Sequence, residues 1–221
     1  MVDPIKKILL KHPSNAFLNQ RNINKQYLEL NYLAAPNFNS AISDYEIFVD
    51  LLKSFDIEIF YLPEDKSTSL DSIYTHDPCV VSNKGVVICN MGKKARQPEA
   101  DTMKKFFHSI EVPILGKIQS PGTLEGGDVV WINEKTIAVG EGYRTNKEGI
   151  EQLKLLLSDQ VETVITVSIP HWNGPDDCLH LMSNLSPIDH DLYLVYSRLL
   201  PVSFIKYLLD QNIELIDVPD D

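Results

Sequence analysis

One order of segments recurs down the chain, and it limits the fold more than any single motif does. Val80-Val81 and Val86-Val87-Ile88 flank Ser82-Asn83-Lys84-Gly85 as two strands flank a turn, and a helix near 99–109 and a strand near 112–115 follow. Val129-Val130-Trp131 and Thr136-Ile137-Ala138-Val139 flank Asn133-Glu134-Lys135 in the same way, ahead of a helix near 147–157 and a strand over 161–167. A third copy places its hairpin in 179–185 and 192–195, its helix in 202–209 and its strand in 213–216. Upstream, Ile8-Leu9-Leu10 and Leu28-Leu30-Tyr32 read as strands, and 40–55 carries apolar residues at helical spacing. Ser43 is the expected N-cap of that helix, with Glu46 as its capping-box partner. The alternating segment 57–62 returns as a strand. Helix starts near 43, 99, 147 and 202 imply a unit of about 50 to 60 residues, the period of a propeller or solenoid-like array. A doubly wound sheet competes, but its units are strand-helix without the intervening hairpin.

Composition narrows the setting. The 221 residues are 43% hydrophobic, enough to fill a core, and no low-complexity stretch interrupts them, so 1–221 reads as a single α/β domain. No apolar run reaches membrane-spanning length, and Met1-Val2-Asp3-Pro4 places an acid and a proline where a signal peptide needs basic and apolar residues. A membrane partner is not expected. Twenty Lys and Arg against 31 Asp and Glu leave a formal charge of −11, which repels phosphate backbones and argues against nucleic acid. Cys79, Cys89 and Cys178 are odd in number and scattered, which suits a reducing cytoplasm better than a disulfide framework.

Four polar clusters at strand ends and turns are placed to carry chemistry. Asp77 sits in Thr75-His76-Asp77-Pro78-Cys79-Val80, and also suits a turn cap. Glu125 and Asp128 bracket a glycine pair in Leu124-Glu125-Gly126-Gly127-Asp128-Val129, an arrangement that suits a cation, a metal or a plain tight turn. Arg144 precedes a helix that Thr145 or Asn146 can cap. His180 stands in Asp177-Cys178-Leu179-His180-Leu181-Met182-Ser183, either as a proton carrier or as a satisfied core histidine. Acids to hold a cation, an arginine to hold an anion and a histidine to move a proton make a coherent set. A zinc set of His171, Asp176, Cys178 and His180 lacks a compact spacing, and no metal or cofactor is expected.

These motifs, together with Met91-Gly92-Lys93-Lys94-Ala95-Arg96-Gln97-Pro98-Glu99 and Glu148-Gly149, occur in an order that resembles the guanidino-group modifying superfamily, the penteins. Within it the chain is most similar to dimethylarginine dimethylaminohydrolases, with arginine deiminases and amidinotransferases as wider relatives. The resemblance covers nearly everything from Ile8 to Pro219. It implies a pentein-type α/β propeller of ββαβ modules, about four of five present, with Asp77, Glu125, Arg144 and His180 facing inward. It implies amidine hydrolysis at the C–N bond of arginine or a methylated arginine. Asp77 then binds the substrate guanidinium, Glu125 orients the reacting nitrogens, Arg96 and Arg144 grip the α-carboxylate, and His180 is the general acid/base. Asn15-Ala16-Phe17 falls where the family has a mobile lid.

The sequence departs from the family in three ways. No acid stands two residues after His180, His76 occupies a position where the hydrolases often carry glutamate, and no cysteine follows the 213–219 strand. In the family the nucleophile is a cysteine near the C-terminus, on a fifth module. The expectation is therefore a chain missing that module and its thiol, which self-associates or accepts a completing C-terminal module. Cys178, two residues before His180, is the rival nucleophile. A non-catalytic relative that binds a guanidino ligand or a partner protein is the alternative reading.

Overall fold

The computed structural model describes residues 2–177 and 179–219, and the chain divides into two compact units. The first comprises Pro4–His76 and Lys93–Val112. In it β1 (Lys7–Leu10) lies parallel to β2 (Glu58–Tyr61). Between them run α1 (Pro13–Ala16), α2 (Gln20–Gln26) and α3 (Phe38–Lys53), and α4 (Gln97–Ser109) completes the unit. Two expectations are corrected here. Leu28-Leu30-Tyr32 is not a strand: the backbone continues past α2 in turns, with the Leu30 N–H donating to the Gln26 carbonyl and Asn31 in the left-handed region at φ 65°. The alternation there was only apparent, since Leu28 points to solvent while Leu30 is buried. The cap of α3 is Asn37 and not Ser43. The Asn37 side chain accepts the Ser40 N–H at 3.0 Å, and the helix starts early enough for Phe38 and Ala41 to pack on the cluster around Leu30 and Leu70. Ala16 and Phe17, in the stretch expected as a lid, are buried in that same cluster.

The second unit holds 77–92 and 113–219 with the extreme N-terminus. It is built from three sheets of one pattern. An antiparallel hairpin, β3 (Cys79–Ser82) and β4 (Gly85–Ile88), is extended by a parallel strand, β5 (Ile114–Lys117). The pattern repeats as β6 (Val129–Asn133), β7 (Thr136–Glu141), α5 (Lys147–Leu156) and β8 (Thr163–Ser168). It repeats again, after the helical turn α6 (Leu181–Asn184), as β9 (Leu185–Asp189), β10 (Leu192–Val195), α7 (Val202–Asp210) and β11 (Glu214–Asp217). The hairpin-helix-strand order read from the sequence is thus present, with one correction. Residues 179–184 do not form the first strand of the third hairpin. The Leu181 N–H donates to the Asp128 carboxylate at 3.0 Å and not to a neighbouring strand, so the chain turns helically and the ladder begins only at Leu185.

Strand side chains alternate faces, and the middle sheet uses both. Val129, Ile137 and Val139 pack with Ile150, Leu153 and Leu157 from the α5 segment and with Val87 of β4. Their neighbours Val130, Ile132 and Ala138 pack on the other side with Phe204 and Leu208 of α7 and with Tyr193 and Val195 of β10. The middle sheet is therefore covered by a helix on each face. The last sheet is covered on one: Ile188, Leu194, Ile216 and Val218 are 52%, 36%, 43% and 38% exposed. Among the described residues no helix is long and apolar enough to cross a membrane.

Candidate functional site

Four of the five residues singled out in the sequence come together in the second unit. Asp77 immediately precedes β3 and is buried; its Oδ1 accepts the Gly127 N–H at 3.1 Å, and its carbonyl accepts the Gly126 N–H at 2.8 Å. Glu125 is completely buried at the entry to the 3-10 turn Gly126–Asp128. His180 Nε2 lies 2.9 Å from Glu125 Oε2, and Arg144 Nη1 lies 3.3 and 3.2 Å from the two Glu125 oxygens. A carboxylate has no proton to give, so the imidazole donates through Nε2 and the tautomer is set by Glu125. Burial of this kind strengthens each contact, because little water competes for the charges.

Glycine is required at the centre of this cluster. A Cβ on residue 127 would stand 2.7 Å from His180 Nδ1 and 2.8 Å from Asp77 Oδ1. Backbone, imidazole and carboxylate can meet there only because residue 127 carries no side chain.

The arginine loop is held from several sides. Asn146 caps α5 by accepting the Gly149 N–H at 2.9 Å, and the same Oδ1 accepts the Thr123 N–H at 2.9 Å, while its Nδ2 donates to the Pro121 carbonyl. The segment leading into Glu125 is thereby pinned to the start of the helix that follows Arg144. Thr145, fully buried, does not cap. Its hydroxyl accepts the Glu125 N–H at 3.1 Å and donates to Asp128 Oδ2 at 2.7 Å. Burial pushes the Asp128 carboxyl up to about 6, while His180 and the hydrogen bonds from Thr145 and Leu181 pull the other way. From the sequence Asp128 is only the second carboxylate of the glycine-pair cluster, with no role of its own, and Thr145 only a possible cap. The available signal was the side-by-side pair Thr145-Asn146, since one helix takes only one N-cap residue.

Arg96 belongs to the first unit. Its Nε and Nη2 hold Glu99 at 3.0 and 2.8 Å, and Nη2 also donates to the Tyr74 carbonyl at 2.9 Å. Both charged side chains are about 5% exposed, so this fork is committed to an internal carboxylate. Lys93 and Asp71, also in the first unit and not singled out in the sequence, form a second pair at 2.7 Å.

Among the cysteines, Cys79 and Cys89 are free and buried. Burial raises the Cys79 thiol to about 12 and the Cys89 thiol well above its ordinary value, which makes both poor nucleophiles. Cys178, the rival nucleophile, lies outside the described residues.

A family model described as arginine deiminase matches residues 69–212, a span that holds every member of the Glu125 cluster. The chain belongs to the arginine deiminase family. Its relatives include the N(G),N(G)-dimethylarginine dimethylaminohydrolase of Pseudomonas aeruginosa, 23% identical over 194 residues, covering 88% of this chain and 71% of that protein. The arginine deiminase of Listeria welshimeri is 34% identical over 106 residues, 44% of this chain and 26% of the deiminase. An uncharacterised protein of Aeropyrum pernix is 28% identical over 192 residues, of which this chain spans 66%. Solved structures establish the fold as that of the penteins. The Pseudomonas aeruginosa hydrolase, as a cysteine-to-serine mutant complexed with citrulline, superposes with a TM-score of 0.76 at 22% identity, covering 97% of this chain and 76% of that one. The N-terminal domain of ArgZ, an arginine dihydrolase from Cyanobacteria bound to product, gives 0.77 at 16% identity, covering 98% and 76%.

Proposed function

We propose that this member of the arginine deiminase family serves an amidine hydrolase of the dimethylarginine dimethylaminohydrolase type, acting on arginine or a methylated arginine. The observation that carries the reading is the contact between His180 Nε2 and a Glu125 carboxylate that has no exposed surface and stands beside Arg144. A guanidinium is permanently charged and resonance-stabilised, so attack at its carbon needs fixed carboxylates to orient it and a group that can protonate the departing amine. Asp77 and Glu125 supply the first and His180 the second. Arg144, whose Nη1 now rests on Glu125, takes the ligand carboxylate.

The reaction requires a thiolate. It attacks the guanidinium carbon, the amine leaves with a proton from His180, and water activated by the same imidazole releases citrulline and regenerates the thiol. Cys79 and Cys89 are too deeply buried for this, so we assign the sulfur to a cysteine on a segment that completes the fold. The uncovered face of β9, β10 and β11 supports that assignment, because the corresponding face of the middle sheet is covered by a helix.

Calorimetry with arginine and monomethylarginine tests the binding half: the parent is expected to bind and Asp77→Asn to lose binding, whereas equal affinity would remove Asp77 from the site. Turnover tests the other half. The 221-residue chain is expected to make no citrulline above background, and to do so once a cysteine-bearing completing segment is supplied. Robust turnover by the 221 residues alone, abolished in Cys178→Ala, would falsify the assignment of the thiol.

A further inference from the structure

The buried pair Asp128 and Thr145 has no part in the chemistry just described, yet it holds the backbone N–H of Glu125 and that of Leu181, the residue next to His180. Thr145 Oγ1 accepts the backbone N–H of Glu125 at 3.1 Å and donates to Asp128 Oδ2 at 2.7 Å. The other oxygen, Asp128 Oδ1, accepts the backbone N–H of Leu181, the residue next to His180, at 3.0 Å. The side chains of Glu125 and His180 then meet at 2.9 Å. These contacts close a ring running from Glu125 through Thr145, Asp128 and Leu181 to His180 and back. The loop that carries Thr145 is closed on itself, with its carbonyl accepting the Gly142 N–H at 2.9 Å. Room for the ring is made by a second glycine. A Cβ on residue 140 would stand 2.8 Å from Asp128 Oδ1 and 3.1 Å from the Leu181 Cβ.

We infer that Asp128 and Thr145 are positioning residues that hold the backbones of Glu125 and His180 to one common post, and so fix which nitrogen of His180 faces the Glu125 carboxylate. The physical argument is about orientation. A carboxylate can hold an imidazole in one tautomer only while the two backbones keep their spacing, and a proton carrier misplaced by about 1 Å loses much of its effect. Asp128 is itself 2% exposed and Thr145 0%, so neither offers its polar atoms to solvent, and every hydrogen bond their side chains make runs to the ring. The charged groups around His180 are Glu125, Asp77 across Gly127, Asp128 through Leu181, and Arg144 through Glu125. Removal of the Thr145 hydroxyl deletes no charge among them and takes one hydrogen bond from Asp128 Oδ2. The role as proton carrier rests on the reading proposed above, but the ring itself does not.

Nitrogen-detected NMR of His180, with the other histidines assigned by substitution, reads the tautomer without any need for turnover. In the parent a single Nε2–H pattern is expected at neutral pH, and Thr145→Ser, which keeps the hydroxyl, should match it. Thr145→Val, nearly equal in shape, should lose that pattern in favour of an averaged one. Gly140→Ala, which presses on Asp128 Oδ1 and the Leu181 Cβ, should do the same and serves if Thr145→Val does not fold. Where a completed enzyme turns over, kcat in Thr145→Val should fall about tenfold with little change in KM. A parent-like tautomer in folded Thr145→Val or folded Gly140→Ala overturns the inference. A lost tautomer without any ligand binding in the parent leaves the ring standing and sinks the functional reading instead.

Discussion

Asp128→Asn should make the protein more stable at alkaline pH and less stable at acid pH. Burial raises the Asp128 carboxyl from an ordinary 3.8 to about 6. Between those values the folded chain holds a proton that the unfolded chain releases, so the stability that Asp128 contributes is complete below about 4 and is lost as pH rises through 6. A displacement of about two units corresponds to about 3 kcal/mol, which the ionised group withholds from the fold at pH 8. Asparagine cannot ionise and escapes that penalty. Its Oδ1 can still accept the Leu181 N–H, and its Nδ2 can donate to Thr145 Oγ1 over the present 2.7 Å. The Thr145 hydroxyl proton then has lost its acceptor in a residue with no exposed surface, at a cost of about 1 kcal/mol. The variant should therefore gain about 2 kcal/mol at pH 8 and lose about 1 kcal/mol at pH 4. Urea unfolding at the two pH values reads this directly, and urea is the proper denaturant because guanidinium resembles the ligand. A destabilisation of equal size at both pH values would refute the reasoning, since it would mean that the charge of Asp128 carries no penalty.

Three further outcomes follow from the same geometry. Gly127→Ala drives a methyl to within 2.7–2.8 Å of His180 and Asp77, and should abolish ligand binding by calorimetry while far-ultraviolet circular dichroism stays near that of the parent. Arg96→Lys keeps the charge but loses the fork on buried Glu99; it should cost about 2 kcal/mol, seen as a melting temperature lower by about 4–8 °C. Cys79 and Cys89 should resist a thiol reagent at pH 8 in the folded protein and react at once in urea; fast labelling of either before unfolding contradicts their burial.

The sequence showed the repeat and the charged site residues, and it failed where a local pattern had two structural solutions. The helix starts at 147 and 202 could be read because each follows a cap or a proline at a change of periodicity, and the start expected near 99 lies two residues past the observed one at Gln97, with Pro98 in its first turn. The third hairpin was misplaced because Leu179, Leu181 and Leu185 look like a strand until Asp128, more than fifty residues away, takes the Leu181 N–H. Leu28, Leu30 and Tyr32 alternate in letters, but Asn31 adopts a left-handed backbone that no strand tolerates. At the site, Glu125 and His180 were legible from residue type and motif. The use of Thr145 was not, because a hydroxyl before a helix reads as a cap until Asn146 is seen to do that work.

Asn146 illustrates a wider point about how such proteins can change. One amide caps α5, accepts from the Thr123 backbone and donates to the Pro121 carbonyl, so the helix start and the loop that delivers Glu125 share a single side chain. A mutational scan scored by activity alone would rank Asn146 beside Glu125, although its side-chain bonds all run to backbone. Selection acting on the loop for a new guanidine would also act on the helix, and stability and specificity could not drift apart at this position. Tyr143 and His171, whose side chains meet at the exposed rim of the small pocket beside Arg144, carry no such double duty, and a change there disturbs no cap.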